Sequence, residues 1–86
     1  MDSYTIIKYP VASEKAIRLM EAENKLLFRV DMKAKKDDIK KAVENMFKTK
    51  VMRVRTLITA RSEKRAYVTF SKETPAIDIA TQLGLL

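Results

Sequence analysis

Residues 51–70 read VMRVRTLITARSEKRAYVTF, and this stretch decides the fold class. Residues 51–60 and 64–71 are both rich in β-forming residues, and the first run alternates between apolar and polar side chains, which is typical of a half-buried β-strand. Only the polar residues 61–63 connect the two runs. Two such runs joined by a short polar connection predict a β-hairpin.

The first strand of this hairpin has two predicted faces. Arg53 and Arg55 project from one side, about 6.6–6.8 Å apart by the rise of a strand. That distance matches the spacing of successive phosphates along a single-stranded or A-form backbone. The alternation places Met52, Val54 and Ile58 on one face and places Val51 and Leu57 on the other face, with the two arginines.

The sequence before the hairpin predicts two strands and two helices. Residues 5–8 form a short β-prone run that Pro10 ends. Ser13 is a good N-cap for a helix that extends to about Ala22 and stops at Asn24. Residues 25–32 alternate and predict a strand. The apolar positions 39, 42, 43, 46 and 47 then have helical spacing.

The sequence after the hairpin predicts a last helix, with Thr74 as its cap, Pro75 at its first position and Gly84 as its stop. The element order is therefore β-α-β-α-β-β-α. It predicts an α+β fold, a small sandwich in which three helices pack on a four-stranded, mostly antiparallel sheet. At 86 residues the chain is expected to be a single domain spanning 1–86.

The composition excludes many kinds of site. There is no Cys or His and only one Gly, which excludes disulfides, zinc sites built on Cys or His, and Gly-rich phosphate loops. We expect no cofactor, metal site, catalytic residue, membrane segment or small-molecule substrate, and a soluble, intracellular, cytoplasmic protein. The adjacent Ser13, Glu14 and Lys15 could suggest a Ser–Lys nucleophile, but Ser13 is better explained as a helix cap.

The net charge of +7 is concentrated in one segment. Residues 48–72 contain eight basic residues and one acidic residue, Glu63, so the whole excess lies there. Clustered positive charge favours a polyanionic partner, nucleic acid first; the alternative is a solvated basic surface that aids solubility. The predicted nucleic-acid-binding residues are Lys48, Lys50, Arg53, Arg55, Arg61, Lys64, Arg65 and Lys72.

The expected recognition is of backbone and shape rather than of base sequence. Tyr67 shares a strand face with Arg65, so that its ring could stack on a base, although core packing explains it equally well. The alternating aromatic residues of an RNA-recognition motif are absent. The segment from Tyr9 to Lys15 is a second candidate, with an exposed Glu14 on the first turn of a helix. A simple interaction of Glu14 with the helix dipole remains an alternative.

Four segments together resemble a known family. Residues 9–16 (YPVASEKA) are similar to the N-terminal H-P-V-x-[ST]-E-K-A segment of the large-subunit ribosomal protein 23 family, in its archaeal form. Residues 39–47 resemble the central helix of that family, residues 51–58 its V-x-V-x-T-L-I strand, and residues 64–68 its K-K-A-Y-V strand. The sequence departs from the family pattern at Tyr9 (usually His), Lys35 (often Thr), Arg55 (Asn) and Ser62 (a common turn Gly).

The resemblance implies a structural protein of the large ribosomal subunit that is bound to large-subunit rRNA beside the polypeptide exit tunnel, among other ribosomal proteins. It also implies a docking site for nascent-chain factors such as the signal recognition particle, with the family's docking glutamate at Glu14, between Ser13 and Lys15. The connection at residues 61–63 is too short for the tunnel-reaching loop of bacterial members.

Two other classes of protein stay open at this point. A free-standing regulator that binds RNA or DNA would carry a similar basic hairpin. A small acylphosphatase-like enzyme would have a similar size and fold, but it needs an N-terminal phosphate cradle. Residues 9–12 (YPVA) contain neither the Gly nor the Arg of such a cradle.

Overall fold

The computed structural model describes the backbone of residues 3–84 and the side chains of residues 5–84. The described strands are β1 (Ile7–Pro10), β2 (Lys25–Val30), β3 (Val51–Ile58) and β4 (Lys64–Phe70), and the described helices are α1 (Ser3–Ile6), α2 (Glu14–Glu23), α3 (Lys36–Phe47) and α4 (Ala76–Gln82). The α+β class and the order β-α-β-α-β-β-α are thus confirmed, with the short α1 added before β1. The four strands form one fully antiparallel sheet in the order β1-β2-β4-β3.

One face of the sheet carries the core. Every second residue of β2 and of β4 points to this face. Phe28 pairs with Ala66 and Leu26 pairs with Val68, and all four are buried. Helix α3 packs against β3 and β1 and covers this face, α1 packs on α3, and α4 contacts β2. Phe28 is fully buried, and its ring stacks on Phe47 of α3 with the ring centroids 6.2 Å apart.

Helix α2 packs along the part of β2 that lies beyond the end of β1. It begins at the predicted N-cap, because the Ser13 hydroxyl accepts a hydrogen bond from the Ala16 N–H at 3.1 Å. It ends at the predicted stop, Asn24, which adopts the left-handed conformation (φ 56°). The helix also shields Leu27, which would otherwise be an apolar side chain on the second, largely uncovered face of the sheet.

The prediction of a strand at residues 5–8 was wrong in its position. Residues 3–6 form α1, and the strand covers Ile7–Pro10 instead. The helical turn allows both Ile6 and Ile7 to be buried, and it packs α1 against α3. Burial therefore decides the conformation here against the β-propensity of the residues.

The predicted faces of β3 were wrong at its first two residues. The pairing of β3 with β4 shifts register between Val51 and Arg53, which is a β-bulge. Because a bulge inserts one extra residue, Val51 turns into the core and Met52 turns outward, where it is 64% exposed. The predicted faces hold from Arg53 onward.

The start of α4 also differs from the prediction. The helix begins at Ala76, and Pro75 occupies the N-cap position. The Ala76 N–H donates to the side-chain oxygen of Asn24 at 2.6 Å, whereas the Thr74 hydroxyl accepts a hydrogen bond from the Thr49 hydroxyl. The cap thus comes from a residue that is distant in sequence, which local pattern does not reveal. The predicted stop at Gly84 agrees with its positive φ of 76°.

Candidate nucleic-acid interface

The second face of the sheet carries three of the eight predicted basic side chains, Arg53, Arg55 and Arg65, in ordered rows with residues of β1 and β2. The register places Arg53 of β3 beside Thr69 of β4 and Lys25 of β2, in that order. The next row contains Arg55, Tyr67 and the shielded Leu27, and the third contains Leu57, Arg65, Arg29 and Tyr9. We call this set of residues the basic face.

Arg53 and Arg55 are the most accessible pair on the basic face. Both are exposed, and they project from the same side because their partners on β4, Thr69 and Tyr67, are themselves two residues apart. Among the side chains of residues 5–84, neither arginine has a carboxylate within salt-bridge distance. The pair therefore presents two unneutralised guanidinium groups at about 6.6–6.8 Å along one strand.

Glu63, in the hairpin connection, forms a cluster with Arg29, Arg65 and Tyr9 of the third row. The Glu63 carboxylate lies 3.6 Å from Arg29 and 3.7 Å from Arg65. Arg29 also donates a hydrogen bond to the Tyr9 hydroxyl at 2.8 Å. That bond, and then the charge of Glu63, raise the pKa of Arg29 although desolvation opposes them. The Arg65 Nε is buried and has no hydrogen-bond partner among the described atoms.

The other predicted cations are spread over different parts of the surface. Arg61 is at the exposed tip of the hairpin. Lys64 lies on the core side of the sheet, at its end, and its ammonium donates to the Ala34 carbonyl at 2.6 Å. The end of the sheet opposite the hairpin tip carries the exposed Lys48, Lys50 and Lys72. The eight predicted residues thus form a stripe over the hairpin and its two ends, with Lys64 turned away from the basic face.

Sequence reasoning missed three members of the basic face. Lys25 and Arg29 lie on β2 and Tyr9 on β1, outside residues 48–72. The alternation of residues 25–32 already places Lys25 and Arg29 on one side of a strand. What was missing was the sheet order, because only the pairing of β2 with β4 brings them beside Arg65 and Tyr67.

The predicted docking residues lie at the first turn of α2. Glu14 is 82% exposed and forms a salt bridge with Arg18, one turn further on, at 2.8 Å. Ser13 serves as the N-cap. Lys15 instead lines a cleft together with Arg55 and Tyr67 of the basic face. The start of α2 therefore adjoins the basic face.

Two other kinds of site are absent from the residues that the structure describes. No helix between residues 3 and 84 has the length and apolarity required to cross a bilayer. Nor do the acidic residues in this range form a group of three or more that could hold a metal ion.

The family model of ribosomal protein L23 matches residues 5–79, which include all four strands and the start of α4. The chain belongs to the ribosomal protein L23 family. It is 44% identical over 85 residues to the large ribosomal subunit protein uL23 of Methanococcus aeolicus and 42% identical to that of Methanococcus vannielii. In both cases the match covers 99% of this chain and 99% of the relative.

These relatives are archaeal, as the sequence resemblance implies. Members of the ribosomal protein L23 family are structural proteins of the ribosome and not enzymes. The chain therefore has a structural ribosomal role. This class replaces the acylphosphatase-like alternative, whose phosphate cradle the sequence already lacks at residues 9–12.

Proposed function

We propose that residues 1–86 form a single rRNA-binding domain and a structural constituent of the large ribosomal subunit in the cytoplasm. The domain contacts large-subunit rRNA through the basic face and the hairpin, next to the polypeptide exit tunnel and among other ribosomal proteins. The observation that carries the proposal is the exposed pair Arg53 and Arg55, which no carboxylate of residues 5–84 neutralises. The names of the relatives place those proteins in the large subunit.

The physical basis of the binding is electrostatic. A cation that contacts a phosphate releases a condensed counterion, so that affinity falls as salt rises, with a log–log slope of about −0.7 to −0.9 for each contact. Guanidinium groups bind phosphate oxygens in a bidentate manner, which favours arginine at such contacts. Contacts of this kind fix the position of the protein on the RNA and read its shape.

The test is the salt dependence of binding to large-subunit rRNA. The double variant Arg53→Gln/Arg55→Gln removes two phosphate contacts, and we expect the slope to flatten by about 1.4 to 1.8. Lys40→Gln/Lys41→Gln is the matched control, because both lysines are exposed on α3, which covers the core face. An unchanged slope in the arginine variant, or an equal change in the control, would contradict the assignment.

Sedimentation with large subunits through a gradient at high salt separates this role from that of a free-standing regulator. We expect the protein to remain with the subunit, because many contacts over the basic face and the hairpin must break together. Loss from the subunit, combined with tight binding to a different RNA or DNA, would instead favour a regulatory nucleic-acid-binding module.

We further propose that the first turn of α2 is a docking site for nascent-chain factors, including the signal recognition particle. Glu14 supports this because it is highly exposed, lies next to the basic face and, among the side chains of residues 5–84, is held only by the surface contact with Arg18. Such an exposed pair costs little to separate, since surface ion pairs contribute at most about 1 kcal/mol. An incoming cationic group can therefore replace Arg18.

The test compares charge reversals on one helix. Glu14→Lys should weaken binding of the signal recognition particle to ribosomes and leave rRNA binding intact. Glu21→Lys is the matched control, because Glu21 is also exposed on α2 but lies two turns further along. Equal binding of the particle by wild type and Glu14→Lys would remove Glu14 from the docking site.

A further inference from the structure

An open cleft of about 290 Å³ lies between α2 and the basic face, and we call it the Tyr67 cleft. Its walls combine three kinds of side chain: basic, aromatic and aliphatic. The lining residues include Lys15, Leu19, Lys25, Arg55, Leu57 and Tyr67. No acidic residue is among the described residues that line it.

The Tyr67 ring has a fixed position in this cleft. Tyr67 lies in the middle of β4, between Leu27 on one neighbouring strand and Arg55 on the other. It is half-buried, so that the strand and its neighbours restrict the ring while part of it faces the cleft. Its hydroxyl makes no hydrogen bond to the side chains or backbone that the structure describes between residues 5 and 84. A ring held in this way loses little conformational freedom when a ligand stacks on it.

The charge of the cleft is concentrated at Lys15 and Arg55. Both are exposed, and neither has a carboxylate partner among the described side chains. Lys25 contributes less, because its ammonium lies 3.0 Å from the Glu23 carboxylate and its side chain is only 20% exposed. An anionic group is therefore favoured between α2 and β3, beside the aromatic ring.

We propose that the Tyr67 cleft binds one unpaired nucleotide of single-stranded RNA. The base stacks on Tyr67 against the side chains of Leu19 and Leu57, and the adjoining phosphate lies near Lys15 and Arg55. The proposal rests on the function proposed above and adds a subsite for a single nucleotide to a face that otherwise contacts the RNA backbone.

Three properties favour a nucleotide over a protein side chain. The volume is at the lower end of the ~300–1,000 Å³ typical of small-molecule sites, which suits one nucleoside and not a stretch of helix. A nucleotide brings a flat apolar surface and an anion at a fixed separation, which is what the ring and the cations require. Unpaired bases that leave the stack are also the usual targets of aromatic side chains in RNA-binding proteins.

The test uses two labelled RNAs, a single-stranded 10-mer of uridine and a 16-bp duplex, with binding measured by fluorescence anisotropy. Tyr67→Ala should weaken binding of the 10-mer by about tenfold, because loss of one stacked base has that effect. It should change binding of the duplex by less than twofold, since a duplex offers no unpaired base. Tyr67→Phe keeps the ring and should retain the affinity of wild type for both RNAs.

Tyr9→Ala is the matched control, because Tyr9 is an exposed tyrosine of the same face on β1, outside the residues that line the cleft. We expect no preferential loss of the 10-mer in this variant. The proposal is overturned if Tyr67→Ala weakens binding of the 10-mer and of the duplex equally. It is also overturned if Tyr9→Ala preferentially weakens binding of the 10-mer.

A second measurement on the wild-type protein does not depend on the folding of a variant. On addition of the 10-mer, stacking of a base on Tyr67 should shift the NMR signals of the Leu19 and Leu57 methyl groups through the ring current of the base. Absence of such shifts when the RNA is bound overturns the subsite. The proposed rRNA contact fails separately, through an unchanged salt slope in Arg53→Gln/Arg55→Gln.

Discussion

Arg29 and Arg65 lie directly opposite each other on β2 and β4, and the carboxylate of Glu63 reaches both guanidinium groups. Like charges in opposite positions of a sheet destabilise it by a few tenths to about 1 kcal/mol. Glu63 offsets this repulsion, and it is itself positioned by its N–H, which donates to the Thr59 hydroxyl at 3.3 Å. The free protein thus keeps two arginines together on the basic face with half of their charge neutralised.

Replacing Glu63 should strengthen RNA binding. In Glu63→Gln the two arginines become available to phosphate, so we expect tighter binding to rRNA and a steeper salt dependence, by about 0.7 to 0.9 for each additional phosphate that they bind. Glu73→Gln makes the same change in net charge at an exposed position after β4 and is the control. If the two variants bind rRNA with equal affinity, the effect comes from net charge alone, and release of Arg29 and Arg65 from Glu63 does not contribute to binding.

Asn24 should be among the most sensitive positions for stability. Its side-chain amide donates to the carbonyls of Phe70, Ser71 and Thr74, and its side-chain oxygen caps α4 at Ala76. Asn24→Ala loses these bonds and places alanine in the left-handed conformation, so we expect a loss of about 2–4 kcal/mol in the free energy of unfolding. The measurement is urea denaturation of the full chain.

Asn24→Gly separates the two causes of that loss. Glycine adopts the left-handed conformation freely but supplies no side-chain bonds. We expect it to be more stable than Asn24→Ala by about 1 kcal/mol and still less stable than wild type. A glycine variant as stable as wild type would show that the hydrogen bonds contribute nothing net.

Ser62 offers a stabilising substitution. It lies in the hairpin connection with a φ of 59°, where the sequence resemblance expects glycine. Ser62→Gly relieves the backbone strain, and we expect a gain of up to about 1 kcal/mol in the free energy of unfolding. Ala60→Gly, two residues earlier and outside the left-handed region, should lose stability instead. The same urea experiment checks both, and a loss in Ser62→Gly contradicts the expected strain.

Binding to rRNA should change little with pH between 6 and 9. The chain has no His or Cys, the side chains whose ordinary pKa values fall in or near that range. The hydrogen bond with Tyr9 raises the pKa of Arg29, so its charge persists even further into the alkaline range. We expect the dissociation constant at fixed ionic strength to vary by less than about twofold. A titration with a midpoint near pH 7 would point to a group outside the basic face.

Sequence pattern predicted well those features that depend on local physics. The cap at Ser13, the stop at Asn24 and the exposed pair Arg53 and Arg55 follow from capping and from strand alternation, and the structure has all of them. The hairpin also follows, with its connection at residues 59–63 instead of 61–63.

The features that pattern did not predict depend on contacts between distant parts of the chain. The bulge beside Val51 reverses two side chains, and nothing in the local alternation marks it. The cap of α4 comes from Asn24, and the membership of Arg29 in the basic face requires the pairing of β2 with β4. Lys64 belongs by charge to the predicted stripe. Its side chain nevertheless points to the core side of the sheet, as Ala66 and Val68 do on β4, and it donates to the Ala34 carbonyl.

The bulges have a consequence for the protein before assembly. Both edge strands of the sheet carry one, between Ile7 and Tyr9 on β1 and between Val51 and Arg53 on β3. An edge strand exposes unpaired backbone groups that can add a strand from another copy, and bulges, charges and proline oppose this. Lys8 and Pro10 protect one edge, and the arginines of β3 protect the other. These features oppose strand-to-strand polymerisation of a newly synthesised chain before it binds RNA.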